Sequence, residues 1–210
     1  MKSVNYNNAA WFYDRLAGLI FGRALINAQI YLLQFIPADA RILIVGGGTG
    51  WVLEEIVKIY PAGLTITYVE VSANMVARSK KRDIGKNRVL FINDAIENLC
   101  LTTDFDVVLT PFLFDNFNEE TLNKVFSHME KAIKPGALWL IADFQLSGKW
   151  WQYFILKGMF LFFRILCNVE AKRLPDIEAC YTKYNYFTAD QKTFFNDFII
   201  SKVYKKSILP

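Results

Sequence analysis

Apolar and polar positions along the middle of the chain follow two rhythms. Short, near-continuous apolar runs mark strands, and apolar residues three and four apart mark helices. Arg41–Val45 reads as a first strand, and Trp51–Tyr60 as a helix with Leu53, Ile56, Val57 and Tyr60 on one face. Pro61-Ala62-Gly63 breaks it, Leu64–Val69 is a second strand, and Ser72 is placed to cap a helix running to about Arg82. Gly85-Lys86-Asn87 turns into a third strand, Arg88–Ile92, and Asp106–Thr110 is a fourth. Asn118 is placed to cap a helix whose stripe is Leu122, Val125, Phe126, Met129 and Ile133. Lys134-Pro135-Gly136 ends that helix before a fifth strand, Ala137–Ala142.

Strands joined by helices of this length are parallel, with right-handed crossovers. Their near-continuous apolar character fits a sheet covered on both faces. The ends of the chain depart from the alternation. Residues 5–36 read as one or two aromatic-rich helices, and residues 149–167 as a second aromatic-heavy helical stretch. A strand pair around Lys192–Phe195 and Phe198–Tyr204, turning at Asn196-Asp197, adds an antiparallel strand. The expected fold is α/β: a doubly wound, mostly parallel seven-stranded sheet with an antiparallel C-terminal strand and helices on both faces.

Composition narrows the class. At 210 residues and 53% hydrophobic content, one domain with a sizeable core is expected. The net charge of +4 is modest, and the clusters Lys80-Lys81-Arg82 and Lys205-Lys206 suit solvated element ends. A nucleic-acid footprint needs a denser patch. Three cysteines (Cys100, Cys167, Cys180) and one histidine, His128, show no metal-ligand or redox spacing. Buried free thiols in a reducing, cytoplasmic compartment are expected. Met1–Asn8 is polar and lacks an apolar signal core, so secretion is not expected. Trp150–Leu166 is very apolar but contains Lys157 and Arg164, whereas a spanning helix wants ~20 nearly uncharged residues. A helix lying on a membrane surface, or lining an apolar pocket, stays open.

The densest chemical signal is Ile42-Leu43-Ile44-Val45-Gly46-Gly47-Gly48-Thr49-Gly50, followed one helix later by Tyr68-Val69-Glu70-Val71-Ser72. An apolar strand ends in a glycine turn, and the next strand ends on an acid. Adjacent parallel strands build a nucleoside site in this way at their carboxyl ends. A carboxylate ending an apolar strand needs donors if buried, and ribose hydroxyls supply two. The spacing is not that of a dinucleotide fingerprint, because the sixth position is Trp51 counted from Gly46 and Leu53 counted from Gly48. No Gly-Lys-Ser/Thr closes the turn as a phosphate loop would need.

Glycine at positions 46, 48 and 50 with an acid ending the next strand resembles the class I, Rossmann-like S-adenosylmethionine-dependent methyltransferases. The resemblance covers about Arg41 to Asp143 in five ordered blocks. After the two above come Phe91-Ile92-Asn93-Asp94-Ala95, Phe105-Asp106-Val107-Val108-Leu109-Thr110, and Ile133-Lys134-Pro135-Gly136-Ala137-Leu138. It implies S-adenosyl-L-methionine as cofactor, with Gly46, Gly47, Gly48 and Gly50 forming the turn beside its methionine portion. Glu70 would hold the ribose hydroxyls, Val71, Ser72 and Met75 would flank the adenine, and Asp94 with Ala95 would meet its amino edge. Thr110 and Pro111 would lie near the sulfonium. For Met75, helix-core packing is an equal alternative. The chain departs from the family at Ile44, where an acid usually stands two positions before the first glycine; Asp14 or Tyr13 are possible replacements. The turn is also similar to that of aminopropyl-transferring relatives, but their paired aspartates after strand four are here Thr110-Pro111-Phe112-Leu113.

The resemblance organises the single domain into an N-terminal helical cover (1–38), a cofactor-binding core (39–145), a helical acceptor-site insert (146–190) and C-terminal strands (191–210). Methyl transfer needs alignment and exclusion of water, and a general base only if the acceptor must lose a proton. Candidates for that base are Asp115 and Tyr13, with Asp143 as a weaker one; His128 is read as structural or surface-facing. The acceptor is expected to meet Tyr13, Phe112, Asp115, Asn116, Trp150 and Trp151, and to be a small apolar or aromatic molecule. Nucleic-acid and protein acceptors are disfavoured, since the Asn-Pro-Pro-aromatic signature is absent after strand four. A protein of this fold that binds the cofactor or a partner without catalysis is the alternative.

Overall fold

The computed structural model describes residues 20–101, 105–167 and 171–208. Within them the chain runs α1 (Ala24–Leu33), β1 (Arg41–Val45), α2 (Trp51–Ile59), β2 (Ala62–Val69), α3 (Ala73–Ser79), β3 (Lys86–Ile92) and β4 (Phe105–Pro111). It continues through α4 (Glu119–Glu130), β5 (Ile133–Phe144), α5 (Trp150–Cys167), α6 (Ile177–Lys183), β6 (Tyr186–Phe194) and β7 (Ile199–Lys206). The seven strands form one sheet in the order β3-β2-β1-β4-β5-β7-β6. Ile42 of β1 pairs with Ile66 of β2 on one side and Val107 of β4 on the other, both parallel. The strand order therefore reverses between β1 and β4, and a crevice at such a switch point is where open α/β sheets bind ligands. β7 inserts antiparallel to both β5 and β6.

Side-chain alternation along β1 explains why both sheet faces are covered. Ile42 and Ile44 face a cluster with Leu32 and Leu33 of α1 and Leu53 and Ile56 of α2. Leu43 and Val45 face the opposite cluster, with Leu122, Val125, Phe126 and Met129 of α4 and Tyr181 of α6. Trp139 of β5 is fully buried there, stacked on Phe126 at 4.4 Å between ring centroids.

Several expected boundaries shift, each for a local reason. The α4 stripe stops at Met129; Ile133 opens β5, which absorbs Lys134-Pro135-Gly136 through a register shift against β4. Gly136 takes φ +76° there, and Pro135 near a strand start leaves few ladder bonds to lose. α3 ends at Ser79 rather than near Arg82. β6 begins at Tyr186 rather than near Lys192, as a mostly exposed edge strand without an apolar alternation. α6 is an additional short helix, capped by Asp176, whose side chain accepts the Ala179 N–H at 3.1 Å. The turn between β6 and β7 places Phe195, Asn196 and Asp197 all at positive φ. Of the cysteines expected to be buried, Cys180 is buried but Cys100 is exposed, because it sits in the loop leading to β4. Residues 1–19, including Tyr13 and Asp14, lie outside the described residues, as does the side chain of Cys167.

Candidate functional site

The turn after β1 is built by glycine for two different reasons. At Gly47 a Cβ would stand 2.5 Å from ring atoms of Tyr68, so the strand-two tyrosine leaves no room for one. At Gly48 the backbone takes φ +62°, which other L-residues rarely adopt, and a Cβ there would meet only Met75 Sδ, at 3.9 Å. The Gly48 face of the turn is thus open, with Met75 across from it. Gly46 and Gly50 are also left-handed. The Gly46 N–H donates to Val69 O at 2.9 Å, the Tyr68 hydroxyl donates to Gly48 O at 2.9 Å, and Arg82 Nε donates to Thr49 O at 3.0 Å.

Glu70, the residue after β2, is 5% exposed and faces this turn. Its Oε2 accepts the Gly48 N–H at 3.1 Å and its Oε1 accepts the Ser72 N–H at 2.8 Å. Burial pushes its carboxyl pKa up, while the N–H groups of Ser72, Gly48 and Val71 pull the other way. Each carboxylate oxygen can accept a second hydrogen bond. A pair of vicinal hydroxyls matches that remaining capacity, and burial removes the water that would otherwise fill it.

Neighbouring residues complete the rim. Ser72 caps α3, its Oγ accepting the Met75 N–H at 3.3 Å, which fixes Met75 opposite Gly48. Asn93 Nδ2 donates to the carbonyls of Glu70 and Val71, both at 2.9 Å, and so binds the end of β3 to the end of β2. The adjacent Asp94 is exposed; its Oδ1 accepts from Ala95 N and Asn98 Nδ2, both at 2.7 Å. Glycine turn, Glu70, Val71, Ser72, Met75, Asp94 and Ala95 therefore share the carboxyl ends of β1, β2 and β3. Tyr68, Arg82 and Asn93 hold that arrangement and went unassigned in the sequence; each acts through a partner that only the fold brings near. Ile44 is fully buried between Tyr68 and Leu109 in the sheet, so that position carries only packing.

The loop after β4 leans on the same turn: Leu113 Cδ1 lies 3.0 Å from where a Cβ on Gly46 would stand. Phe112 sits at φ +50°, an uncommon state for a non-glycine residue, with its N–H on Ala142 O at 2.7 Å and its ring 5.2 Å from that of Phe144. Asn116 Nδ2 donates to Phe112 O, Leu113 O and Asp115 Oδ1 at 3.1, 3.3 and 2.7 Å, fastening the loop. The Thr110 hydroxyl is engaged inside the sheet, accepting Trp139 Nε1 at 3.0 Å, and Pro111 pairs with Ala142.

Asp115 and Asp143 are both buried, side by side at the ends of β4 and β5. Desolvation first, then the neighbouring carboxylate, drives Asp115 well above the usual carboxylate range. Desolvation raises Asp143 to about 7, against the N–H groups of Phe144, Phe114 and Asp115. Asp143 Oδ1 accepts the Phe144 N–H at 2.8 Å, and Oδ2 is buried with no hydrogen-bond partner among the described residues. Such a pair holds a proton near neutral pH. His128 is structural, its Nε2 at 2.8 Å from Leu99 O. Trp151 packs edge-on against Phe195 and Phe198, whereas Trp150 is 75% exposed and touches Phe154. The two tryptophans thus face different ways around α5, Trp150 outward and Trp151 toward the core.

Comparison with known proteins places these elements in context. Residues 42–136 match a family model described as a methyltransferase domain. The chain is 32% identical over 129 residues to a malonyl-[acyl-carrier protein] O-methyltransferase of Bacillus cereus, covering 59% of this chain and 46% of that protein. It is 30% identical over 139 residues to the Priestia megaterium protein of the same name, covering 66% and 49%. The chain thus spans about half the length of these curated relatives. In fold it is similar to the 1,6-didemethyltoxoflavin-N1-methyltransferase of Burkholderia thailandensis, solved with bound S-adenosylhomocysteine. The TM-score is 0.66 at 13% identity, over 95% of this chain and 85% of that one.

Proposed function

We propose that the chain, whose residues 42–136 match a methyltransferase-domain model, is a class I, Rossmann-like S-adenosylmethionine-dependent methyltransferase that moves the cofactor's methyl group to an apolar acceptor. The observation that carries this reading is the Gly48–Glu70 contact across the switch point, with an open glycine face on one side and a buried carboxylate on the other. The cofactor, when bound, supplies a methyl group already activated on a positively charged sulfur.

The chain's own residues bind, orient and exclude water. Glu70 would accept the ribose hydroxyls, Val71 and Met75 would flank the adenine, and Asp94 with Ala95 would meet its amino edge. Gly46, Gly47, Gly48 and Gly50 leave the turn free of side chains where the methionine portion approaches. Thr110 and Pro111, at the end of β4, would contribute main chain rather than the Thr110 hydroxyl, which Trp139 engages. Phe112, Leu113 and Phe144 make the acceptor side apolar, and Asn116 holds the loop that presents them. Excluding water and fixing the line of approach are the main effects such a site can exert.

A second reading has its own support. The B. cereus and P. megaterium relatives are named for a carboxyl acceptor carried on an acyl-carrier protein. A carboxylate arrives ionised and needs no base. Asp115 is buried beside Asp143, and desolvation and that neighbouring carboxylate disfavour its ionised form. An acyl chain ending in a carboxylate is therefore a consistent form of the apolar acceptor.

Radiolabelled methyl transfer from S-adenosylmethionine to apolar phenols and quinones, to lipids and to malonyl-loaded carrier protein tests both. Turnover of the first two classes supports the free apolar acceptor, and turnover of the last alone supports the carried acyl chain. Methylation confined to polar amines or nucleic acids overturns both, and cofactor binding without any turnover supports a non-catalytic protein of this fold.

A further inference from the structure

Helix α5 is apolar on both its inner and its outer face. A surface helix ordinarily turns its apolar stripe to the core and its charged face to water. Along the 18 residues of α5 the inner face, with Trp151, Ile155, Leu156, Met159 and Phe160, joins the core cluster. The outer face repeats at three- and four-residue steps, and it carries Trp150, Tyr153, Phe154, Leu161 and Ile165. Trp150, Phe154 and Ile165 are 75%, 64% and 69% exposed, where ordinary helices place Glu, Lys or Gln. Only Lys157 and Arg164 interrupt this face with charge, and neither is ion-paired among the described residues; Lys157 Nζ lies 4.6 Å from the centre of the Tyr153 ring. Residues 144–169 contain no Asp or Glu.

We propose that this face of α5 seats the protein on an anionic lipid bilayer, with the helix lying in the plane of the headgroups. Its charge is complementary to anionic lipid, because the face carries cations without acids. Its apolar residues run the whole length of the helix, about 27 Å, rather than clustering into one pocket-filling knob. Aromatic residues such as Trp150 and Tyr153 suit the interfacial layer, and Lys157 and Arg164 can extend to phosphates while their stems stay among apolar chains. Gly158, on the same face, has nothing within 4 Å of where its Cβ would be, so the middle of the stripe is unobstructed. Among the described residues no helix is long and apolar enough to cross a membrane, so this contact is parallel to the surface. The inference concerns attachment and stands apart from methyl transfer.

The test is co-sedimentation of the full chain with phosphatidylcholine vesicles, with and without phosphatidylglycerol, read together with tryptophan emission. Binding to the anionic vesicles with a blue shift is expected, and little binding to phosphatidylcholine alone. K157E/R164E should weaken binding at least about 25-fold, two cations each contributing about fivefold. F154S/I165S should abolish the blue shift. Both variants change exposed side chains, and circular dichroism verifies their folding. Absence of binding to anionic vesicles, or equal binding by K157E/R164E, overturns the proposal. So does light scattering that shows a dimer which F154S/I165S dissociates, since a second copy would then cover the face. Capture of an acidic protein without vesicle binding overturns it as well.

Discussion

The carboxylate of Glu70 accepts the backbone N–H of Gly48 at 3.1 Å, so one side chain joins the turn after β1 to the end of β2. These residues are 22 apart in sequence and meet because β1 and β2 pair in parallel, Val45 against Val69. The turn cannot move without disturbing the acid. Shape and charge at the crevice are one structure, which gives rise to separable tests.

Gly47→Ala should damage that structure sterically. Its Cβ would fall 2.5 Å from the Tyr68 ring, which is fully buried and cannot retreat. Overpacking of this kind costs about 1–3 kcal/mol. Thermal unfolding should show a drop of roughly 2–12 °C, at ~2–4 °C per kcal/mol for a chain of this size. Tyr68→Phe, which removes only the hydrogen bond to Gly48 O, should cost about 1 kcal/mol. An unchanged melting temperature for Gly47→Ala would contradict the close approach.

The Asp115–Asp143 pair makes a prediction about pH. Both carboxyls have folded-state pKa values raised above the unfolded range, so ionisation opposes folding. The pair's adverse contribution is absent near pH 4 and grows as pH rises through about 7, the value to which Asp143 is raised. Asp143→Asn removes one of the two charges and supplies an amide donor toward Asp115. It should stabilise the fold by about 1–3 kcal/mol at pH 8 and change little at pH 4. Denaturant titrations of both proteins at the two pH values check the sign; destabilisation at pH 8 would refute it.

Asn116 tests the proposed division between acceptor and cofactor sides. Its Nδ2 holds Phe112 O, Leu113 O and Asp115 Oδ1, while the cofactor rim lies at the ends of β1 to β3. Asn116→Ala should lower kcat/KM for the acceptor about tenfold, the loss of one to two kcal/mol of positioning, with a smaller effect on cofactor affinity through Leu113, which packs on Gly46. A parallel fall in cofactor affinity would mean that the loop serves both.

The elements legible in the sequence were those bounded by their own chemistry. β1 ends where Val45 meets Gly46, and the caps Ser72 and Asn118 start their helices as expected. β6 was half-hidden because an edge strand exposes Phe187, Thr188 and Gln191 and needs no apolar alternation. At the site, the glycine turn and Glu70 were readable because residue type alone restricts what they can do. Tyr68 was not, since inside an apolar strand nothing marks its hydroxyl as a tie to Gly48. Nor was the meeting of Asp115 with Asp143, which follows from β4 and β5 lying side by side in the sheet. The aromatic count of α5 was plain, but which rings face outward depends on the helix's rotation against Phe195 and Phe198.

The central claim is that the glycine turn and Glu70 together hold an adenosine carrying a sulfur-linked amino acid. Isothermal titration of the full chain with S-adenosylhomocysteine, beside its Glu70→Ala variant, tests it most directly. The account predicts one site of micromolar affinity, weakened at least tenfold in the variant by loss of a charged hydrogen-bond acceptor worth about 1.5–3 kcal/mol. No heat of binding at millimolar ligand, or equal affinity in the two proteins, would contradict it.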